Sequence, residues 1–406
     1  MRPLAAIGLA IATLVASACT GINTTPRIVG SLRIAADLPL MGDDAPDGLP
    51  VRAAFDLALK KSARVCGAAS HRDACVTVQG VSFDDVNKGI HDPATGASNV
   101  RTMADDAHIV AMIGPLYDSL ARSELPVANA ASLAMISPAN TDECLTLDPS
   151  DGHCHGLALS LRRSGINNYF RVVTTQLVEG QAAAEFAYRN LGKRRAFLTD
   201  DRTPLGHALG GQFDDRFRRD GGADLNANDL PGARAMGADL VYYGGSDVNA
   251  AAALRRDVAA QLPGVPFIGT DRISSNQFAL ASGPAVRGSY YTVPGPYPTA
   301  LKSAASFLKD FRATTGQDAT PTAIMAFDAT NLELAAIGRA IDDDGGAVPT
   351  RSQVLREIAV TQDFSGVMGS ISFDTHGDTT LKLVSVFQWM APGDRSGRFA
   401  AQLSVR

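Results

Sequence analysis

The sequence predicts an α/β protein built on parallel sheets. Short apolar runs closed by Gly, Pro or Asp alternate with amphipathic segments along most of the chain. Several of those runs are continuously apolar, as expected of strands covered by helices on both faces. Length sets the domain count: about 375 residues follow the N-terminal segment, enough for two domains of ordinary size.

SLRIAADLPL, CVTVQGVSF, HIVAMIG and LAMISP read as strands in the first part of the chain, and RRAFLTD, DLVYYGG, VPFIGTD and GSYYTV as strands further on. Helical faces lie between and after them: Leu209, Phe213 and Phe217 share one, Leu254, Val258 and Leu262 a second, Leu334, Ile337 and Ile341 a third. Ligands of such folds bind beyond the carboxyl ends of the strands. The segments there are LPLMGDDAPDG, GPLYDS, SPANTDE, TDDRTPLG, GGSDVN and GTDRISS, which hold most of the clustered Asp, Ser, Thr and Asn. Strand-to-helix loops also need caps and turns, so position alone assigns no single residue. Asp342-Asp343-Asp344-Gly345-Gly346 reads as a solvated helix end, because the further oxygen ligands of a calcium loop are missing.

The chain is 45% hydrophobic and 19% charged with a net charge of -5, and nothing in that balance suggests a nucleic-acid partner, which would require a basic face. Residues 1-19 have the shape of a secretory signal, with an early Arg2, an apolar run from Leu4 to Val15 and small residues before Cys19. That run is too short for a stable membrane span. Cys19 after Ala16-Ser17-Ala18 resembles the lipobox of bacterial lipoproteins, in which this Cys is lipidated, although Ala16 stands where Leu is usual. An ordinary cleaved signal with a spectator Cys is the alternative. Residues 20-30, TGINTTPRIVG before the first strand, form a polar, turn-rich tether.

Setting Cys19 aside leaves four Cys in two close pairs, Cys66 with Cys75 and Cys144 with Cys154, each able to staple a short polar loop in an oxidising compartment. Four Cys allow three pairings, and the sequence leaves them open. A zinc site using these Cys with His71, His153 and His155 is the rival, but structural zinc sites bring two Cys closer in sequence, so no metal is expected. Catalytic motifs are missing as well: there is no G-x-S-x-G elbow, no H-E-x-x-H and no P-loop. His207 near Asp200 and Asp201 is the nearest acid-base cluster and reads as a loop His with capping acids. Neither an enzyme nor a cofactor is expected.

ADLPLMGDDAPDG, FDDVNKG, VRTMADDAHIVAMIGP, AMISPANT, YFRVV, EGQAAAEFAY, VYYGGSD, PFIGTD, AFDATNLELAAIGRAI and FSGVMGSISFDTHGD with VFQW follow one another in a specific order. In that order they resemble type I periplasmic solute-binding proteins of the leucine/isoleucine/valine-binding class, which serve ABC importers. The resemblance implies two Rossmann-like lobes with parallel sheets joined by three crossovers, closing on a solute. Residues 31-172 plus 296-364 would form lobe one, and 173-295 plus 365-406 lobe two. It implies a small polar, amino-acid-like solute, ABC permease subunits as partners, and a membrane attachment through the lipid anchor. A ligand-sensing module for a signalling receptor is the alternative, with a secreted hydrolase behind it.

In amino-acid-binding relatives the resemblance places the ligand carboxylate in lobe one, on a hydroxyl after the Gly-Pro turn and on the loop after the Ile-Ser-Pro strand. Here the second element is Ala139-Asn140-Thr141, with backbone N-H groups and a hydroxyl to offer. The first is altered: Asp118 stands at the hydroxyl position, with Tyr117 before it and Ser119 after it. An ionised Asp118 would repel a ligand carboxylate, so either Ser119 substitutes or the solute is not a simple carboxylate. In lobe two the resemblance puts the ligand ammonium on Asp271. Gln176 replaces the second acid, and Leu205 and Ser246 stand where aromatic walls are usual. Tyr117, Tyr243 or Tyr297 are the rings left to replace them, Tyr243 more naturally as core.

Overall fold

A computed structural model describes residues 26–149 and 152–405. The signal segment, Cys19 and residues 20–25 of the expected tether lie outside the described residues, and the tether's last four residues, 27–30, belong to the first strand instead. Strands β1 (Arg27–Leu38), β2 (Arg64–Cys66) and β3 (Ala74–Asp84) open the first sheet. After the small hairpin of β4 (Val86–Asn87) and β5 (Ile90–His91), strands β6 (Ile109–Ile113), β7 (Ala134–Ser137) and β8 (Tyr169–Arg171) complete it, in the order β2-β3-β1-β6-β7-β8. The chain then builds a second sheet from β9 (Arg195–Asp200), β10 (Ala223–Asp224), β11 (Leu240–Gly244), β12 (Phe267–Gly269) and β13 (Ser289–Pro294). It returns to the first lobe for the helices Ala305–Thr315, Pro321–Asp343 and Arg351–Ala359 and the hairpin of β14 (Phe364–Ser365) and β15 (Ser370–Ile371). A third passage adds β16 (Leu383–Gln388) and β17 (Arg398–Ser404), for the order β10-β9-β11-β12-β13-β16-β17.

Both sheets are mainly parallel, with antiparallel margins that the alternation did not announce: β2 on β3, and β16 between β13 and β17. A parallel partner needs a crossover of a dozen residues or more, and the loop from Cys66 to Cys75 is too short for one. The Cys66–Cys75 and Cys144–Cys154 disulfides both form, which decides the pairing. Asp342, at the end of the long helix, accepts the N-H groups of Ala69, Ser70 and His71 and so docks the first disulfide loop. The acidic run expected to be a solvated helix end therefore also holds a neighbouring loop in place.

The expected helical faces are core faces. Leu209, Phe213 and Phe217 are buried under the second sheet, and Leu334, Ile337 and Ile341 pack on the first. Each fully buried aliphatic or aromatic side chain contributes about 1.5–3 kcal/mol relative to exposure. One boundary moves. The segment after residue 364, expected in lobe two, stays with lobe one up to the third passage, because Met368, Ile371 and Phe373 are buried in its core. Phe373 also packs on Phe170, with ring centroids 5.0 Å apart. Between the helix Pro204–Asp220 and β11 the chain forms only a two-residue β10 and the short helix Leu230–Ala235.

Candidate functional site

β6 ends at Ile113 and turns through Gly114 and Pro115 into the helix Asp118–Ala130. Gly114 has φ +114°, and a Cβ there would stand 2.5 Å from the Asp37 carbonyl, so only Gly fits between β1 and this turn. The turn aims Asp118 into a cavity of about 510 Å³ between the lobes. From the first lobe come Asp118, Ser119, Arg122, Asp142, Glu143, Cys144 and His153; from the second come Gln176, Leu205 and Arg272. Each follows the carboxyl end of a strand or lies in the first two turns of the helix beyond it, except the disulfide loop that brings in His153.

Four expected residues line this cleft: Asp118, Ser119, Gln176 and Leu205. Burial raises the Asp118 carboxyl to about 6, with Asp142 adding to the rise and Arg171 and Arg272 opposing it. The hydrogen bond that Asp118 accepts from the Asp142 N-H is long, at 3.5 Å. Asp142 itself is committed, to Arg122 Nη2 at 2.5 Å and to the Cys144 N-H at 2.9 Å. Glu143 is only 1% exposed and bridges the lobes: Oε1 lies 2.9 Å from His153 Nε2, and Oε2 accepts from Gln176 Nε2 at 2.8 Å. The Cys144–Cys154 disulfide fixes this pair, since Glu143 and His153 each precede one of its Cys.

Other expectations are corrected. The N-H groups of Ala139 and Asn140 do not point to a ligand; they donate to Ser137 Oγ at 3.2 and 2.9 Å. Asn140 Oδ1 accepts from the Tyr169 hydroxyl, and the Thr141 carbonyl accepts from the Gln176 N-H at 2.9 Å. Ala139, Asn140 and Thr141 are absent from the cavity lining, so the SPANT loop stands behind the cleft with its Ala139 and Asn140 N-H groups turned to Ser137. Ser246 is exposed and tied to Asp201 by both its N-H, at 2.7 Å, and its hydroxyl, at 3.0 Å. Asp271 does not line the cavity: its N-H donates to Glu179, and the next side chain, Arg272, enters instead. Tyr117 turns away, stacking on His91 at 3.7 Å and donating to Asp47. Tyr243 is core, and Tyr297 stacks on Phe399.

Behind the cleft lies a buried cation. Arg171 is fully buried, pairs with Asp378 at 2.5 Å, and donates to the carbonyls of Asn140 at 3.3 Å and Asp142 at 2.7 Å and to the Thr146 hydroxyl. The turn carrying Arg272 is anchored by Trp389, whose indole N-H donates to the Ile273 carbonyl at 3.0 Å. Cys144, His153 and Cys154 lie close enough to share a metal ion, but the two sulfurs are bonded to each other, so the thiolates such a site needs are not there.

Sequence reasoning missed Arg122, Asp142, Glu143, His153 and Arg272. Two features carried a signal. Arg122 is one helical turn from Asp118 and shares its face, while Glu143 and His153 flank the Cys that the pairing would draw together.

Two lobes with a charged cleft at the carboxyl ends of their strands define a solute-binding protein. The profile of the periplasmic binding protein family matches residues 31–394, and the chain belongs to that family. It is 23% identical over 382 residues to the Leu/Ile/Val-binding protein homolog 1 of Brucella melitensis biotype 1, covering 91% of this chain and 93% of that one. Among solved structures it resembles the leucine-binding protein LivK of Thermotoga maritima MSB8, with a TM-score of 0.61 and 23% identity over 92% of this chain and 99% of that one. It also resembles LivJ of Streptococcus pneumoniae in complex with isoleucine, with a TM-score of 0.60 and 17% identity over 92% and 98%. At these identities the structures establish the fold. These relatives are named as binding proteins rather than enzymes, solved neighbours from Desulfitobacterium hafniense and Sphaerobacter thermophilus are ABC transporter substrate-binding proteins, and membership implies an extracytoplasmic location. No helix among the described residues is long and apolar enough to cross a membrane.

Proposed function

We propose that this chain captures a small polar, amino-acid-like solute between its lobes and delivers it to an ABC permease. The observation that carries this is the lining of the cleft. Among the described residues, charged or hydrogen-bonding groups enter from both lobes, Leu205 is the one aliphatic side chain, and no Phe, Tyr or Trp ring lines it. A branched aliphatic side chain would gain little there, whereas a solute held by both lobes at once favours their closed arrangement. A thermal-shift screen of amino acids, amides, polyols and small acids tests it. A specific solute at about 100 times its Kd stabilises the folded state by roughly 2.7 kcal/mol. A screen in which leucine or isoleucine gave the largest shift would overturn the polar assignment.

We further propose that Cys19 carries a lipid that holds the protein at the outer face of the membrane, on the strength of Ala16-Ser17-Ala18-Cys19. Radiolabelled fatty acid supplied to the producing cells is expected in the wild-type chain and not in Cys19→Ser. Equal labelling of the two chains would reject the anchor.

A further inference from the structure

We infer that the cleft binds a small zwitterion with its cationic group on the first lobe, at Asp118, and its carboxylate on the second, at Arg272. This rests on the solute-binding function proposed above and reverses the order that the family resemblance implies.

On the first lobe the acids differ in what they have left to give. Asp142 is saturated by Arg122 and the Cys144 N-H, and Glu143 by His153 and Gln176. Asp118 accepts a long hydrogen bond and faces the cavity, so it is the acceptor with unused capacity. Two of the groups expected to receive a carboxylate on this lobe are spent, because the Ala139 and Asn140 N-H groups close onto Ser137 Oγ, which leaves the uncharged Ser119 hydroxyl in the lining. A carboxylate placed there would meet Asp118, and the neighbouring cation, Arg122, is held by Asp142 at 2.5 Å, a tighter pair than the 3.5 Å between Arg272 and Asp271.

The second lobe presents the opposite charge. Asp271 is turned out of the cavity, while Arg272 lines it with its side chain 46% exposed and its ion pair to Asp271 Oδ1 stretched to 3.5 Å. A guanidinium in this condition keeps a planar fork for a carboxylate. Asp118 and Arg272 thus attract each other across the cleft. A zwitterion entering with its ammonium toward Asp118 replaces that one attraction with two, one on each lobe, and so links binding to closure. With Leu205 as the sole aliphatic neighbour among the described residues, the class is an amino acid of short or polar side chain.

The test uses two series on the mature chain by calorimetry: L-serine with ethanolamine and 3-hydroxypropionate, and L-asparagine with 3-aminopropanamide and succinamate. Each series pairs a zwitterion with its amine-only and acid-only counterparts. Asp118→Asn is expected to weaken the zwitterion and the amine more than tenfold and to leave the acid unchanged or tighter. Arg272→Gln is expected to weaken the zwitterion and the acid and to spare the amine. Asp118→Ser serves as a second variant, and solute-free melting curves check that each variant is folded. Tighter zwitterion binding by Asp118→Asn, the sign required by a carboxylate on the first lobe, overturns the orientation. Binding of polyols or acids by the wild type without either zwitterion overturns the class while the solute-binding function stands. Failure of every compound in the wider screen removes both.

Discussion

Replacing Arg171 with methionine is expected to destabilise the protein by about 3–5 kcal/mol, the usual loss when one partner of a buried ion pair is removed. Arg171 is fully buried, and Asp378 would be left with an uncompensated charge at 8% exposure. The carbonyls of Asn140 and Asp142 would lose their donor as well, so the back wall of the cleft should loosen and solute affinity fall. Urea denaturation measures the first effect. Adding Asp378→Asn to Arg171→Met should recover part of the loss, because the orphaned charge is then gone. A double variant no more stable than the single one would place the cost in the lost carbonyl contacts instead.

The second large effect concerns pH. Asp85 is fully buried, neither carboxylate oxygen has a hydrogen-bond partner among the described residues, and its pKa is raised to about 7. Burial is the main cause, Asp84 and Asp44 add to it, and His91 opposes it. Because the folded-state pKa lies above the unfolded value of about 3.9, the folded protein holds this proton more tightly. Stability from this group is therefore fully present below about pH 4 and is lost as the pH rises toward 7. A rise from about 4 to about 7 corresponds to at most about 4 kcal/mol. Asp85→Asn should thus be more stable than the wild type at pH 8, by roughly 2–4 kcal/mol after relaxation, and nearly equal to it at pH 4. Asp37 and Glu124, also buried and raised in the same direction, remain in the variant, so some pH slope should persist. Denaturation midpoints from pH 4 to 8 provide the check, and a constant difference between the two proteins across that range would exclude the titration of Asp85 as its source.

The fold was legible in the sequence because it is written in periodicity and in the order of loops. Short apolar runs closed by Gly, Pro or Asp read as buried strands, and Leu209, Phe213 and Phe217 together read as a helix face. The lobe boundary after residue 364 was less legible, since Ile371 and Phe373 suit the core of either lobe and only the packing of Phe373 on Phe170 decides between them. Within the site, Asp118 and Gln176 followed from their places beyond strand ends. Whether Ala139 and Asn140 offered their N-H groups depended on the rotamer of Ser137, which no pattern records. The exchange of Asp271 for Arg272 turned on the short 3-10 turn Asp271–Ser274, where a shift of one residue moves a side chain from the neighbour's carboxylate to the cavity.

The hydrogen bond from Trp389 to the Ile273 carbonyl has an optical consequence. The chain has a single tryptophan, buried in the second lobe, and its indole is bonded to the residue that directly follows Arg272. Its fluorescence therefore reports on one turn rather than on an average over the molecule. A solute carboxylate held by Arg272 as proposed would act on that turn, and a change in Trp389 emission on titration is the expected unlabelled signal of occupancy at the second lobe.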